Sequence, residues 1–293
     1  MKRHNHDIDI PDEIEFEREV IEKFIEEFET ESDVDSLNRI ATESQNLIYL
    51  LGTQAQTIDN REEIYRCLYL YLQATANFFL MAQTSKERVV ISVDDLSVHI
   101  DKEDYESYVG INSWLDGYIY ALAGREKNVL KLLRSCPESE IRKGNFAADT
   151  FFYSYIEFLK NFEEPNAIVL LDKVLKDCNT AKIASKEFIE NTILPELLLW
   201  ETILHDRKDS FNEKLEFAVN QFNNYWKQSK ADLMEGSYRY NAMESLIAMR
   251  LCGISAYAYD KGFPITYQSD YLLEFLIKGE LTVDAKVTFP EDL

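Results

Sequence analysis

The sequence predicts an all-α fold, a single multi-helix bundle or array with a small β-hairpin insertion. Three observations predict it. Glycine occurs 9 times and proline 6 times in 293 residues, and so few breakers leave long regular elements, which helices build most cheaply. Apolar residues return at helical spacing through most of the chain. Near residues 89–100 the pattern changes to β-branched residues around a short polar turn. Hydrophobic residues make up 46% and aromatics 13%, which suffices, at this length, for one large core or two modest domains. The chain 1–293 is read as a single helical domain, with acidic N-terminal helices (1–58), a core (59–280) and a tail (281–293).

The first helix follows from Ile14, Ile21, Phe24, Ile25 and Phe28, an apolar stripe at helical spacing. Residues 7–35 around it hold fourteen Asp or Glu against two cations, Arg18 and Lys23. An amphipathic helix with an acidic outer face is expected. A second helix should run from Val34 to Leu51 and close at Gly52. The third, about Arg61 to Gln83, is apolar nearly all round and belongs at the centre of a bundle. Its Tyr65, Tyr69 and Tyr71 should bury their rings while the hydroxyls find partners. Arg66, Gln73, Thr75 and Asn77 interrupt the run, and each would be costly against lipid, so a buried helix is expected and not a membrane span.

Val89–Val93 and Ser97–Ile100 should pair as a hairpin around Asp94-Asp95-Leu96, leaning on the helices because two strands do not stand alone. Helical spacing returns near Tyr105, passes Leu122 and breaks at Gly124, with a shorter helix from Asn128 to Arg134 before Pro137. Further helices are expected at 147–162, 166–177, 186–208 and 210–228, with Pro165 in a first turn and Pro195 at a start or a kink. The last long helix is read over 238–260, ended by Gly262 and Pro264. The tail after Gly279 is short and is expected to be partly extended. Trp114-Leu115-Asp116-Gly117-Tyr118 is like a tetratricopeptide start, but no second copy stands about 34 residues away.

The formal net charge is −22 and the isoelectric point about 4.6. Phosphate backbones and anionic lipid repel such a surface, so neither direct nucleic-acid binding nor a membrane partner is expected. A basic protein would be steered toward it. Cys67, Cys136, Cys178 and Cys252 are far apart and lack zinc-like spacing, so buried free thiols in a reducing compartment are expected. No apolar stretch follows the first charged residues, which argues against a signal peptide and for a cytoplasmic protein.

No catalytic, cofactor-binding or metal-binding set emerges. His4 and His6 with Asp7 lack oriented support, and His99 and His205 read as ordinary surface or half-buried residues. No Glu stands three residues before a histidine, as a di-iron bundle requires, and Glu201 with His205 reads as a local side-chain contact. Walker, dinucleotide and nucleophile-elbow patterns are absent. Asp94-Asp95 reads as a turn and not as a metal-diphosphate motif. Trp226, Tyr238 and Tyr240, near Gly236, are the aromatic candidates for interface anchors.

Two segments together carry a resemblance. One runs from Trp114-Leu115-Asp116-Gly117-Tyr118 through Ala121-Leu122-Ala123-Gly124-Arg125-Glu126 to Leu130, Leu133 and Pro137. The other runs from Met249 through Ala256, Gly262 and Pro264 to Ser269-Asp270-Tyr271-Leu272 and Leu276. In this order they resemble the immunity-protein 49 family of bacterial polymorphic-toxin systems, although the family often carries proline where this chain has Leu273. The resemblance covers about 100–280 and implies an all-helical, non-enzymatic protein that neutralises a cognate toxin by binding it. Trp114 and Leu122 also read as core residues, and Arg125 as a partner of a nearby acid or a helix cap. The partner implied is a toxin domain, basic if it acts on nucleic acid as a nuclease or deaminase. The candidate contact residues are Glu22, Glu26, Glu27, Glu29 and Glu31 on the first helix with Asp94, Asp95 and Asp101 at the hairpin. The alternative reading is a helical-repeat scaffold or adaptor for another protein.

Overall fold

A computed structural model describes residues 9–102, 105–144, 147–227, 242–280 and 287. The described chain is all-α apart from one two-stranded antiparallel hairpin. Its contacts gather into two compact units, one built on Ile8–Phe146 and one on Ala147–Gly279, with Glu280 and Val287 joining the first.

In the N-terminal unit, α1 (Ile10–Glu31) ends at Ser32, whose left-handed backbone (φ 53°) turns the chain. Asp33 then caps α2 (Val34–Leu51), accepting 2.7 Å bonds from both the N–H and the hydroxyl of Ser36. Helix α2 packs against α1 on one side and α3 (Ile58–Gln83) on the other. Thr57 caps α3, so that helix starts three residues before the expected Arg61. From Leu70 to Ala82 every residue of α3 is buried.

The polar interruptions of α3 have specific work. Gln73 accepts the backbone N–H of Asp94 at 2.8 Å, and Asn77 donates to the Ser92 carbonyl at 2.9 Å. Both bonds seat β1 (Arg88–Val93) and β2 (Leu96–Asp101) on the helix, with Val89, Ile91 and Val93 facing inward. The hairpin turn is Asp94-Asp95, shorter than the three residues expected, and Asp94 takes a φ of 53°. Thr75 lies against Gly117 of α4 (Ile111–Gly124), where a Cβ would come within 2.9 Å of its methyl.

The single helix expected from Tyr105 is divided. A 3₁₀ turn, Tyr105–Tyr108, stops short of Gly110, and α4 begins after it. Trp114 is fully buried, donates to the Leu133 carbonyl at 2.9 Å and stacks on Tyr118. Arg125 ends α4 in the left-handed region (φ 59°), and its side chain donates to the Ala123 carbonyl at 3.0 Å, a cap of the kind expected. Helices α5 (Lys127–Ser135) and α6 (Glu138–Lys143) complete the unit, α6 being absent from the sequence reading.

In the C-terminal unit, α7 (Thr150–Lys160) packs on α8 (Ala167–Cys178). Pro165 lies in the turn before the Asn166 cap, and so precedes the first helical turn it was expected to occupy. Helix α9 (Lys186–Phe188) widens into a π turn, Ile189–Ile193, and continues as α10 (Leu194–Leu204). The wide turn lets the chain absorb Pro195, which lacks an N–H for the regular ladder. Then come α11 (Phe211–Trp226), α12 (Met249–Asp260) and α13 (Glu274–Lys278).

The start of α12 corrects the expected 238–260 helix. Leu246 and Ile247 are buried but not helical, and the Ala248 N–H bonds to the Tyr271 carbonyl at 2.9 Å. The family-like segment thus wraps back onto the beginning of α12. Gly262, at φ 81°, ends that helix region as expected. Residues 238–241, and with them Tyr238 and Tyr240, lie outside the described residues, as do His4, His6 and Asp7 and all of the tail except Val287 beyond Glu280.

Candidate functional site

The expected carboxylates fall into two neighbourhoods of the N-terminal unit. Arg66 of α3 joins Glu22 of α1 (2.9 Å) to Asp94 of the hairpin turn (3.1 Å), with all three side chains at least a third exposed. At the other end of both elements, Glu31 and Asp101 line one open depression with Asp33, Asp35, Arg88 and His99. The C-terminal half of α1 therefore neighbours the hairpin at both ends, although residues 32–87 separate them in sequence. Charge counting finds both acidic runs but not Arg66, the cation that links them. Its spacing of seven from Gln73 and eleven from Asn77 puts it on the hairpin-facing side of α3, and that was the available signal.

The eight residues differ in what holds them. Glu27 pairs with Lys23 at 3.3 Å and Asp101 with Arg88 at 3.6 Å. Glu26, Glu29, Glu31 and Asp95 are exposed and form no ion pair within 4.0 Å among the described residues. Tyr108 donates a hydrogen bond to Asp35, at the depression's edge.

The interior groups with chemical potential are closed off. None of the four cysteines is in a disulfide and all are buried, and burial pushes the thiols of Cys67 and Cys252 up to about 12 and that of Cys178 up to about 11. Such thiols stay protonated and unreactive near neutral pH. Glu196 is buried in the C-terminal unit, where Oε2 accepts from Tyr155 (3.0 Å) and Arg250 (2.7 Å). Trp200 in turn donates to the Tyr155 oxygen at 3.0 Å. Burial pushes the Glu196 carboxyl up, and Arg250 and the two hydrogen bonds pull it part of the way back. Glu201 does not meet the His205 side chain as expected. His205 donates its backbone N–H to the Glu201 carbonyl, and the carboxylate turns to Arg207 at 3.6 Å. Among the described residues no group of three or more His, Cys, Asp or Glu is placed to hold a metal ion, and no helix is long and apolar enough to cross a membrane.

The family model described as immunity protein 49 matches residues 56–273, most of the chain. This chain belongs to the immunity protein 49 family. Comparison with curated proteins and with solved structures returned no match. The matched span runs from just before α3 to the residue preceding α13, so it includes Trp114 and the Ser269–Leu272 segment and leaves out α1 and α2. In this member of the immunity protein 49 family, Leu273 donates its N–H to the Cys252 sulfur at 3.3 Å. A proline there would have no N–H to give. The candidate carboxylates divide between the two parts: Asp94, Asp95 and Asp101 lie within the matched residues and the five of α1 before them.

Proposed function

We propose that this protein is an immunity protein that neutralises a cognate bacterial toxin by binding it in the cytoplasm, making and breaking no covalent bonds itself. Membership of the immunity protein 49 family carries the reading. The contact surface in this reading is the outer side of α1, Glu22 to Glu31, together with Asp94, Asp95 and Asp101 of the hairpin. Support for that choice comes from charge: a net −22 with its densest acids on α1, beside a hairpin that adds three more. Five of the eight residues stand outside the matched span, and for them the reading rests on charge alone. A toxin that acts on nucleic acid needs a positive groove for its substrate. A row of exposed carboxylates occupies such a groove as a phosphate backbone would, and long-range attraction speeds its capture.

The test is co-expression with the toxin domain encoded beside the gene. Growth should be restored by this chain, and equal killing in its presence and absence would reject neutralisation. The electrostatic part is tested separately with Glu26→Lys, Glu29→Lys, Glu31→Lys and Asp95→Lys combined, since these four break no ion pair. Association with the toxin domain should slow by about tenfold or more at low salt and lose most of its salt dependence. An unchanged rate constant would move the contact elsewhere on the molecule.

A further inference from the structure

The seam between α1 and α2 holds a carboxyl group on the apolar side of α1. Ile14, Glu17, Ile21 and Phe28 form the buried side of that helix, and Glu17 is only 4% exposed. Facing it on α2 are Glu43 and Asn46. One amide nitrogen, Asn46 Nδ2, serves both carboxyls, at 2.8 Å to Glu43 Oε2 and 3.3 Å to Glu17 Oε1. Glu17 Oε2 is buried and meets no donor among the described residues. Of the two nearby cations only Arg39, exposed and at the outer limit of ion-pair distance, reaches the pair. Arg18 makes a two-bond fork, 2.6 Å in each arm, to Glu63 of α3, and Arg39 stands 3.9 Å from the Oε1 of Glu43. Glu13, one turn earlier on α1, adds a further negative charge.

Two carboxylates that share one donor do not both ionise without a large repulsion. A buried oxygen without a partner is itself costly. One proton held between the carboxyls removes both penalties, because it turns an acceptor into a donor and cancels one charge. We propose that Glu17 and Glu43 share a single proton in the folded protein, and that this proton makes the packing of α1 on α2 pH-dependent. Burial, and then the charge of Glu43, push the Glu17 carboxyl up to about 8 from an ordinary 4.5. The folded state therefore binds one more proton than the unfolded chain between those two values. Stability falls as pH rises through that window and levels off above it. The seam lies under the helix that carries five of the eight candidate carboxylates, but the proposal does not depend on toxin binding.

The experiment uses the full chain, its Glu17→Gln variant and its Glu43→Gln variant, in buffer containing a chelator. Carbon-detected NMR of the assigned glutamate carboxyls across pH 4–10 should find that of Glu17 titrating well above the exposed glutamates, the signal being absent from Glu17→Gln and shifted downward in Glu43→Gln. Urea unfolding should find the wild-type folding equilibrium constant falling by about tenfold or more from pH 6 to pH 9, against about twofold or less in Glu17→Gln. If a variant fails to fold, the wild-type titration decides alone. The proposal is overturned if the Glu17 carboxyl titrates below about pH 6, or if wild type and Glu17→Gln share one pH slope. A saturable rise in the urea midpoint at pH 8.5 on adding Ca²⁺ or K⁺ would also overturn it, since a metal ion would then stand where the proton is placed.

Discussion

At Asp149 and Glu196 the C-terminal unit buries two carboxylates and treats them differently. Burial would raise the Asp149 carboxyl, but the backbone N–H groups of Lys182, Ala184 and Ile183, at 2.6–2.9 Å, outweigh it and hold the group below its usual range. Its contribution is therefore present above about pH 4 and lost as pH falls through the depressed value. Asp149→Ala leaves three N–H donors to find water and should cost about 2 kcal/mol in urea unfolding at pH 7, with a smaller cost at pH 3. Glu196 instead depends on one cation. Arg250→Met removes it and should cost about 3–5 kcal/mol, while adding Glu196→Leu to that variant should recover much of the loss. The single variant should also be less destabilised at pH 5 than at pH 8, because a still higher Glu196 pKa favours the protonated fold as pH falls. A pH-independent loss in Arg250→Met would mean that Glu196 is already protonated in the native chain.

Elements whose ends carry their own chemistry could be read from the sequence, and elements shaped by distant contacts could not. Helix α2 was legible to the residue because Asp33 supplies a cap and Gly52 follows the last apolar turn. The hairpin was legible because β-branched residues alternate around Asp94-Asp95. Glu17 was legible in principle, since 14, 17, 21, 24 and 28 follow one helical stripe, but counting acids assigns it to the solvent side. Leu246 and Ile247 look like the start of α12, and only the long-range bond from Ala248 to Tyr271 explains why they are not. Helix α6 was missed because six mostly charged residues carry no period. What fixes its end is a close approach: a Cβ on Gly144 would stand 2.5 Å from the Glu106 carbonyl oxygen and 2.6 Å from that of Val109. Backbone atoms yield little, so Gly144→Ala should destabilise the protein by about 2–3 kcal/mol. At Gly124 the nearest atoms are leucine methyls at 3.4 Å, and Gly124→Ala should cost clearly less. Equal urea midpoints for the two variants would contradict this account.

For the whole molecule, 53 acids against 31 Lys and Arg mean that charge works against folding as well as for solubility. Much of the excess sits on one helix, where exposed glutamates one turn apart repel each other across the solvent. Salt screens that repulsion, so the free protein should gain stability between 10 and 300 mM NaCl, where the Debye length shrinks from about 30 Å to under 10 Å. The four-lysine variant of Glu26, Glu29, Glu31 and Asp95 changes the net charge by eight and relieves the densest part of the repulsion. It should be more stable than wild type at 10 mM salt, by about 1 kcal/mol, and the difference should shrink as salt is added. The same variant is expected to capture the toxin domain more slowly. If the carboxylates are kept for a partner, stability and capture rate move in opposite directions in this variant, and both differences fade with salt. If they serve only to keep the protein dissolved, the variant gains stability while capture is unaffected. Urea midpoints and stopped-flow association, measured on one preparation at three salt concentrations, separate the two cases.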